Sequence, residues 1–402
     1  MLLFWLESLE PPLMTYDQDL ASALPDAIDP VALETLRTRV QQEIETGLLP
    51  SSQFALAYRG QLIAFETFGA ASNQALYPIF SATKAITSAL SWLSMQAGAL
   101  DLEAPVANWI PAFKEGDKSL VTVQHLLTHT AGFPNAPFRP TDYFDVERRQ
   151  ARFQQWRLEW PPGSRFVYHP TSSLWALAEI LEQIYGRAFA ELIQTEIAEP
   201  LGLPELFVGC PSSEHHKIVP VSHVGASPTA QDYAERKMQP PPVSEVTEAA
   251  IDNFNTADVR AVPTPGGGGF MTAATLALFY QGLLGYSGDS SDFTQVPWQA
   301  KTLLSARTIR THGLKDPYLG FDVLRGLGIV IAGERDQHLR GFGHGSTATS
   351  FGHGGAGGQI AWADPVSGLS FVYLTNGHDR NPFRQGRRGV SLSSKAVNCL
   401  RA

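Results

Sequence analysis

Apolar residues near both ends of the chain follow the patterns of buried strands. "FALAY" and "LIAFETF" flank Arg59 and Gly60, and together they predict a β-hairpin within residues 52–69. Towards the C-terminus, Gly, Pro and Asp bound three apolar segments that predict further strands: "LGIVIAG" (327–333), "QIAWADP" (359–365) and "LSFVYLTNG" (369–377). We therefore expect a sheet that is built from the two ends of the chain.

The middle of the chain follows helical spacing instead. Ile86, Leu90 and Leu93 share one helix face, and Gly98 offers a stop. Further helices are predicted in "TVQHLLTHTAGFP" (122–134), in "TSSLWALAEILEQIYG" (171–186) and after the N-cap candidate Thr272. Residues 211–265 are rich in Pro, Ser, Thr and acidic residues, which predicts long surface loops at the rim of a cleft.

The length of 402 residues exceeds what one simple core usually holds. We predict an α/β sheet domain formed by residues 1–100 together with residues 265–402. Residues 101–264 would form a mainly helical inserted domain. The active site would then lie in the cleft between the two.

Composition narrows the classes of partner. A net charge of −9 and the absence of a basic run argue against a nucleic-acid partner. Two cysteines, Cys210 and Cys399, provide neither a disulfide framework nor a zinc signature. No apolar run is long enough to span a bilayer, and the N-terminus lacks the features of a signal peptide, so we predict a cytoplasmic location. Met14 is an alternative start, and the oligomeric state, a homo-oligomer included, stays open.

The stretch "FSATKAITSAL" contains the first candidate for chemistry. Ser81 and Lys84 are spaced i, i+3 at the start of a predicted helix, so both side chains can lie on one face. Desolvation would make the neutral form of Lys84 more accessible, and it could then take the proton of the serine hydroxyl. The N-terminus of the helix favours a developing anion. This spacing alone also occurs by chance in many proteins.

Two further stretches add candidates to this pair. Tyr168 in "PPGSRFVYHP" either packs beneath the next helix or shares protons with Ser81 and Lys84. "FGHGGAGGQIAWADP" is either a Gly-rich turn with an incidental His353 or a strand edge whose N–H groups stabilise an oxyanion. We interpret His125 and His129 as structural, because the general-base Glu of a zinc-binding H-E-x-x-H motif is absent.

These four motifs, "SATK", "LLTHTAGFP", "PPGSRFVYHP" and "GHGGAGGQIAWADP", occur in an order that resembles the serine β-lactamase-like superfamily. This superfamily includes class C β-lactamases, DD-peptidases and the family VIII carboxylesterases, to which the chain is most similar. The resemblance implies an α/β fold with an antiparallel sheet flanked by helices and an inserted helical domain.

The resemblance also implies roles for individual residues. Ser81 would be the nucleophile, Lys84 its base partner, and Tyr168 the tyrosine of the family's Y-x-N motif. His353, Gly354 and Gly355 would stand where many relatives have K-T-G. Finally, the N–H groups of Ser81 and Ala356 would form the oxyanion hole.

Two departures from the family pattern favour esters over β-lactams or peptides. Pro170 replaces the asparagine of Y-x-N, and His353 replaces the lysine of K-T-G that helps to hold a substrate carboxylate. We therefore predict a serine carboxylesterase for a small-molecule ester that uses no cofactor and no metal. The alternatives are a β-lactamase, an amidase, a D-amino-acid peptidase or an acyltransferase with the same site, or a binding protein without catalysis. Whether Lys84 or Tyr168 is the base stays open.

Aromatic residues of the insertion give an indication of the substrate. Phe133, Phe138, Tyr143, Trp156 and Trp160 are candidates for an apolar acyl or alcohol pocket, with ordinary core packing as the alternative for at least half of them.

Overall fold

The computed structural model describes residue 20 and residues 24–240, 245–286 and 296–401. Met14 lies outside the described residues. The strands are β1 (Ser51–Tyr58), β2 (Gln61–Gly69), β3 (Tyr77–Pro78), β4 (Phe207–Val208), β5 (Ser222–Val224), β6 (Gly269–Met271), β7 (Val330–Ile331), β8 (Phe351–Gly352), β9 (Ile360–Asp364), β10 (Leu369–Thr375) and β11 (Gly377–Asp379).

The α-helices of the described chain are mostly short and concentrate between the two halves of the sheet. They are α1 (Pro30–Glu45), α2 (Thr83–Gln96), α3 (Val123–Leu127), α4 (Val146–Gln155), α5 (Ser172–Tyr185), α6 (Phe189–Ile193), α7 (Ala230–Glu235), α8 (Glu248–Asp252), α9 (Ala257–Ala261), α10 (Ala273–Leu284), α11 (Ala300–Ala306) and α12 (Pro382–Val397). None of the helices in the described ranges is both long and apolar enough to cross a bilayer.

Six of the described strands form one antiparallel sheet in the order β2-β1-β10-β9-β8-β7. The first two strands come from the N-terminal part of the chain and the other four from the C-terminal part. This arrangement confirms the predicted α/β fold with an antiparallel sheet built from both ends. The β1–β2 hairpin turns at Arg59 and Gly60, both in the left-handed region with φ of 47° and 90°.

The two faces of the sheet carry side chains of different size, because successive residues of a strand point to opposite faces. On β9, Trp362 points towards α1 and α12, whereas Ala361 and Ala363 point towards the other core, which contains α2 and α10. Strand β1 repeats the pattern, with Phe54 on the first face and Ala55 on the second. The small residues let α10 pack closely on the sheet, and α2 packs beyond it.

Three local predictions differ from the structure. Helix α3 ends at Leu127, well before the predicted stop, and His129 adopts a left-handed φ of 57°. The strand predicted over 327–333 is only the two residues of β7, because the chain forms a tight turn just before it. The loops predicted over 211–265 contain the short helices α7, α8 and α9, and the described part of that segment carries side-chain N-caps at Thr229 and Thr247.

A buried ionic cluster joins the C-terminal helix to the rest of the fold. Asp379 of β11 is fully buried and accepts hydrogen bonds from Arg384 Nε (2.7 Å) and Arg388 Nη2 (2.9 Å). Arg388 of α12 is also buried and pairs with Glu43 of α1. Removal of one member would leave an uncompensated charge in the interior.

We predict that Asp379→Ala lowers the free energy of unfolding by about 3–5 kcal/mol, because Arg388 would lose its most deeply buried partner. Urea denaturation measures this change. Asp322→Ala is the control, since it removes an exposed pair with Lys315 and should change stability little. Equal stability of the two variants would contradict this role of the cluster.

Candidate active site

Ser81 lies in a single 3₁₀ turn, Phe80–Ala82, immediately before α2. Phe80 adopts a left-handed φ of 47°, a conformation that is costly for a bulky residue and tends to occur at functional sites. Thr83 holds this turn against β6: its Oγ1 donates to the Phe80 carbonyl (2.6 Å) and accepts from the Gly269 N–H (2.9 Å). The backbone thus turns sharply at the serine.

Lys84 is the first buried cation of the site. Its side chain is 1% exposed, and its Nζ lies 3.2 Å from Ser81 Oγ. The same Nζ donates to the main-chain carbonyls of Pro170 (2.6 Å) and Gly266 (2.7 Å). A neutral amine can donate to both carbonyls and still offer its lone pair to the Ser81 hydroxyl. Burial lowers the pKa of Lys84, which favours this neutral form.

Tyr168 completes a three-member hydrogen-bonded group. Its Oη lies 2.9 Å from Ser81 Oγ, and its ring lies 5.1 Å from Lys84 Nζ. The ring also packs beside His129, with 4.8 Å between the ring centroids. His129 accepts a hydrogen bond from the His169 N–H (3.2 Å), so the segment that carries Tyr168 is held from behind. The structure thus brings the serine, lysine and tyrosine predicted from the sequence into direct contact.

Several histidines surround the site, and burial keeps them neutral. Burial lowers the pKa values of His129 and His353 well below the ordinary value for histidine. It lowers the pKa of His169 to about 3. Within the described ranges no group of three or more His, Cys, Asp or Glu side chains is placed to hold a metal ion. The Nδ1 of His125 accepts a hydrogen bond from the Thr122 N–H (3.1 Å).

The Gly-rich loop after β8 approaches Ser81 from the sheet. The backbone N–H groups of Ser81 and Ala356 have no hydrogen-bond acceptor within the described chain, and both residues line the same cavity. Two free donors beside a nucleophile are the arrangement that an oxyanion requires.

The remaining residues of this loop lie behind Ala356. The His353 ring lies 6.0 Å from the Tyr168 ring, donates from Nδ1 to the Gly354 carbonyl (2.7 Å) and leaves Nε2 without a partner in the described chain. His353, Gly354 and Gly355 line a separate cavity of about 320 Å³ near α12, whereas the Ser81 cavity does not include them.

The cavity beside Ser81 has a volume of about 400 Å³ and a largely apolar wall. Of the five aromatic residues predicted for the pocket, Phe138 is the one that lines it, stacked on Trp175 at 4.2 Å. The predicted pocket residues Phe133, Tyr143 and Trp156 are instead buried in the core, and Trp160 stands apart from the cavity. Trp175 and Phe254 line the cavity in their place. The two residues are far apart in the sequence, so only the folded chain shows that both contribute to this wall.

Four further groups at the site could not be predicted from motifs. The carbonyls of Pro170 and Gly266 bind Lys84 through the main chain, which any residue type provides. Glu245 lines the cavity, accepts from Thr171 Oγ1 (2.7 Å), and has its pKa raised by burial. Arg325 lies with its Cζ 5.5 Å from the Tyr168 ring. Gly266 is the first of four consecutive glycines, and a Cβ there would lie 2.8 Å from the Pro170 carbonyl oxygen, so this close approach requires glycine.

Comparisons with known proteins agree with this geometry. The Beta-lactamase family model matches residues 36–394. The Esterase/beta-lactamase LipL of Mycobacterium tuberculosis is 24% identical over 315 residues, which cover 74% of this chain and 68% of LipL.

Two solved structures share the fold over nearly the whole chain. A penicillin-binding protein homolog from Caulobacter crescentus superposes with a TM-score of 0.75 and 26% identity, covering 95% of this chain and 100% of that one. A family VIII carboxylesterase superposes with a TM-score of 0.73 and 23% identity, covering 94% and 100%. With a family model that spans most of its length and a Ser-Lys-Tyr group at the expected positions, this chain belongs to the Beta-lactamase family of serine hydrolases.

Proposed function

We propose that the protein is a serine carboxylesterase that acts through an acyl-enzyme on Ser81. The observation that carries this proposal is the position of Ser81 Oγ within hydrogen-bond distance of both Lys84 Nζ and Tyr168 Oη. A weak hydroxyl nucleophile requires such a base beside it. The name of the relative LipL, Esterase/beta-lactamase, includes the same activity.

In the acylation step, Ser81 Oγ attacks the ester carbonyl carbon and gives its proton to the Lys84–Tyr168 pair. The carbonyl oxygen becomes an anion, which the N–H groups of Ser81 and Ala356 would stabilise. When the bond from the carbonyl carbon to the alkoxy oxygen breaks, the alcohol takes the proton back and leaves neutral. The acyl group then remains bonded to Ser81 Oγ.

Deacylation repeats the same proton path with water in place of the serine. A water molecule gives one proton to the Lys84–Tyr168 pair as its oxygen attacks the acyl carbon, and the same oxyanion donors act again. The proton then returns to Ser81 Oγ as the acid departs. The pair shares one mobile proton, so the identity of the base is a property of the pair rather than of one residue.

The cavity wall carries one charge of each sign, on Glu245 and on the exposed Arg139, and is otherwise largely apolar, which suits a neutral ester as substrate. His353, at the position of the K-T-G lysine, lies outside this cavity and is kept neutral by its lowered pKa, so it does not replace that lysine as an anchor for a carboxylate. The Glu245 carboxyl on the cavity wall would repel a substrate carboxylate whenever it is ionised. Phe138, Trp175 and Phe254 offer apolar surface for an acyl or alcohol group.

Hydrolysis of β-lactams is the second candidate, and it is favoured by the name of the relative LipL, Esterase/beta-lactamase. Ring opening would use the same serine, base and oxyanion donors. A peptidase, amidase or acyltransferase would also use them and differ in the bond or acceptor. The contacts of Ser81 with Lys84 and Tyr168 argue against a binding protein without catalysis.

We predict that Ser81→Ala lowers kcat/KM for p-nitrophenyl acetate, butyrate and octanoate by about 10⁴-fold or more, because no other hydroxyl replaces the nucleophile. Ser164→Ala is the matched control, since Ser164 is exposed and bonds only to the Pro161 carbonyl. Nitrocefin, tested in parallel, should be hydrolysed far more slowly than the esters. Ester turnover by Ser81→Ala at the wild-type rate would refute the proposed nucleophile, and faster turnover of nitrocefin would favour the β-lactamase alternative.

A second prediction concerns the base. Lys84→Ala and Lys84→Arg should each lower kcat/KM by about 10²–10⁴-fold, because the first removes the amine and the second introduces a group that stays protonated. In the wild type, activity should rise with pH as the base loses its proton. Because burial lowers the pKa of Lys84, the plateau should be reached well below the ordinary lysine value of about 10.4. If the Lys84→Ala variant kept most of its activity, Tyr168 alone would be sufficient as the base.

A further inference from the structure

Arg325 is the second cation beside Tyr168. Its Cζ lies 5.5 Å from the centroid of the Tyr168 ring and 5.6 Å from that of Phe166. Within the described chain no carboxylate forms an ion pair with Arg325, and its buried Nη1 has no hydrogen-bond partner. Asp316, the acidic group that interacts with it electrostatically, uses Oδ1 to bond the N–H groups of Tyr318 and Leu319. The positive charge of Arg325 is therefore left to act on the tyrosine.

The turn that carries Arg325 is fixed to the catalytic helix. The Arg325 N–H donates to Thr311 Oγ1 (3.0 Å), and Trp92 Nε1 of α2 donates to the Leu327 carbonyl (3.2 Å). Gly328 adopts a left-handed φ of 76° and lies against Ser88 of α2, where a Cβ would come within 1.8 Å of the serine Oγ. Ser88 is one helical turn after Lys84, so the guanidinium is held at a set place relative to the lysine.

Among the groups around Tyr168, Arg325 and Lys84 carry the principal charges. His129 and His353, whose rings pack beside it from the segments that follow α3 and β8, are kept neutral by burial. Glu245 lines the cavity and interacts electrostatically with Lys84, and burial raises its pKa. Ser81 contributes only a neutral hydroxyl.

We propose that Arg325 is a positioning residue that acts on the Lys84–Tyr168 pair: its charge, held against the Tyr168 ring, disfavours a proton on the pair and so makes the pair available to take the proton of Ser81. This inference rests on the proposed esterase function. Arg325 repels a proton on Lys84, which lowers the pH at which the Lys84–Tyr168 pair gives up its shared proton.

The test is the pH profile of kcat/KM for p-nitrophenyl butyrate in Arg325→Met and Arg325→Lys. Arg325→Met should move the acidic limb to higher pH by about one unit or more, with an approximately tenfold loss of kcat/KM on that limb. Arg325→Lys, which keeps the charge, should return the limb towards the wild-type position. Arg307→Met is the matched control, because Arg307 also lies over an aromatic ring, that of Phe351, at 5.3 Å. It should leave the acidic limb unchanged.

A second substrate separates this role from direct binding of a substrate carboxylate. If Arg325 bound a carboxylate, Arg325→Met would raise KM for p-nitrophenyl hemisuccinate alone and leave the pH profile for the butyrate ester unchanged. A higher KM for the hemisuccinate alone would overturn the proposal. So would a pH profile of Arg325→Met that matches the wild type with an unchanged kcat for both esters. Thermal unfolding of each variant shows whether it is folded. If Ser81→Ala retained turnover, the esterase function itself would fail; if only the Arg325 profile were unchanged, that function would stand.

Discussion

The burial of the Lys84 amine is the constraint on which the rest of the site depends. An amine that is removed from water costs several kcal/mol unless its hydrogen-bonding groups find partners. Lys84 finds three oxygens, on Ser81, Pro170 and Gly266, which are separated by as many as 185 residues along the chain. The site therefore exists only when the sheet, the inserted helices and the Gly-rich segment have all assembled around α2.

This constraint also explains a departure from the family pattern. A proline at the Y-x-N position offers no side-chain hydrogen bond, yet the Pro170 carbonyl bonds to Lys84 Nζ at 2.6 Å. The contact belongs to the backbone path, which a proline can follow. Gly266 supplies the second carbonyl, and the close approach of the two segments leaves no room for a side chain there. The lysine is thus held by main-chain atoms and depends less on the identity of its neighbours.

The sequence predicts the parts of this protein that follow from local patterns. The hairpin at Arg59 and Gly60, the α/β fold with its antiparallel sheet, and the helix that ends at Gly186 agree with the structure. The division into two domains stays a prediction. Helix α3 was predicted too long, because a left-handed His129, which Tyr168 contacts, is invisible in a periodic pattern.

The site shows the same limit. The spacing of Ser81 and Lys84 predicts their contact, because both lie within one helical turn. Arg325 and Glu245 carry no motif, since long-range packing alone brings them near Tyr168 and the cavity. Most of the aromatic residues assigned to the pocket pack instead in the core. Residue type alone does not distinguish an aromatic ring that binds substrate from one that fills the interior.

The most direct test of the central claim is the pH dependence of covalent labelling of Ser81. A p-nitrophenyl phosphonate ester would be added to the wild-type protein, release of p-nitrophenol would give the rate, and peptide mass spectrometry would locate the label. If the buried Lys84–Tyr168 pair activates the serine, one label should appear, on Ser81. Its rate should rise with pH to a plateau well below pH 10.4, the ordinary value for lysine. A label on another residue, or a rate that keeps rising beyond that pH, would contradict the account.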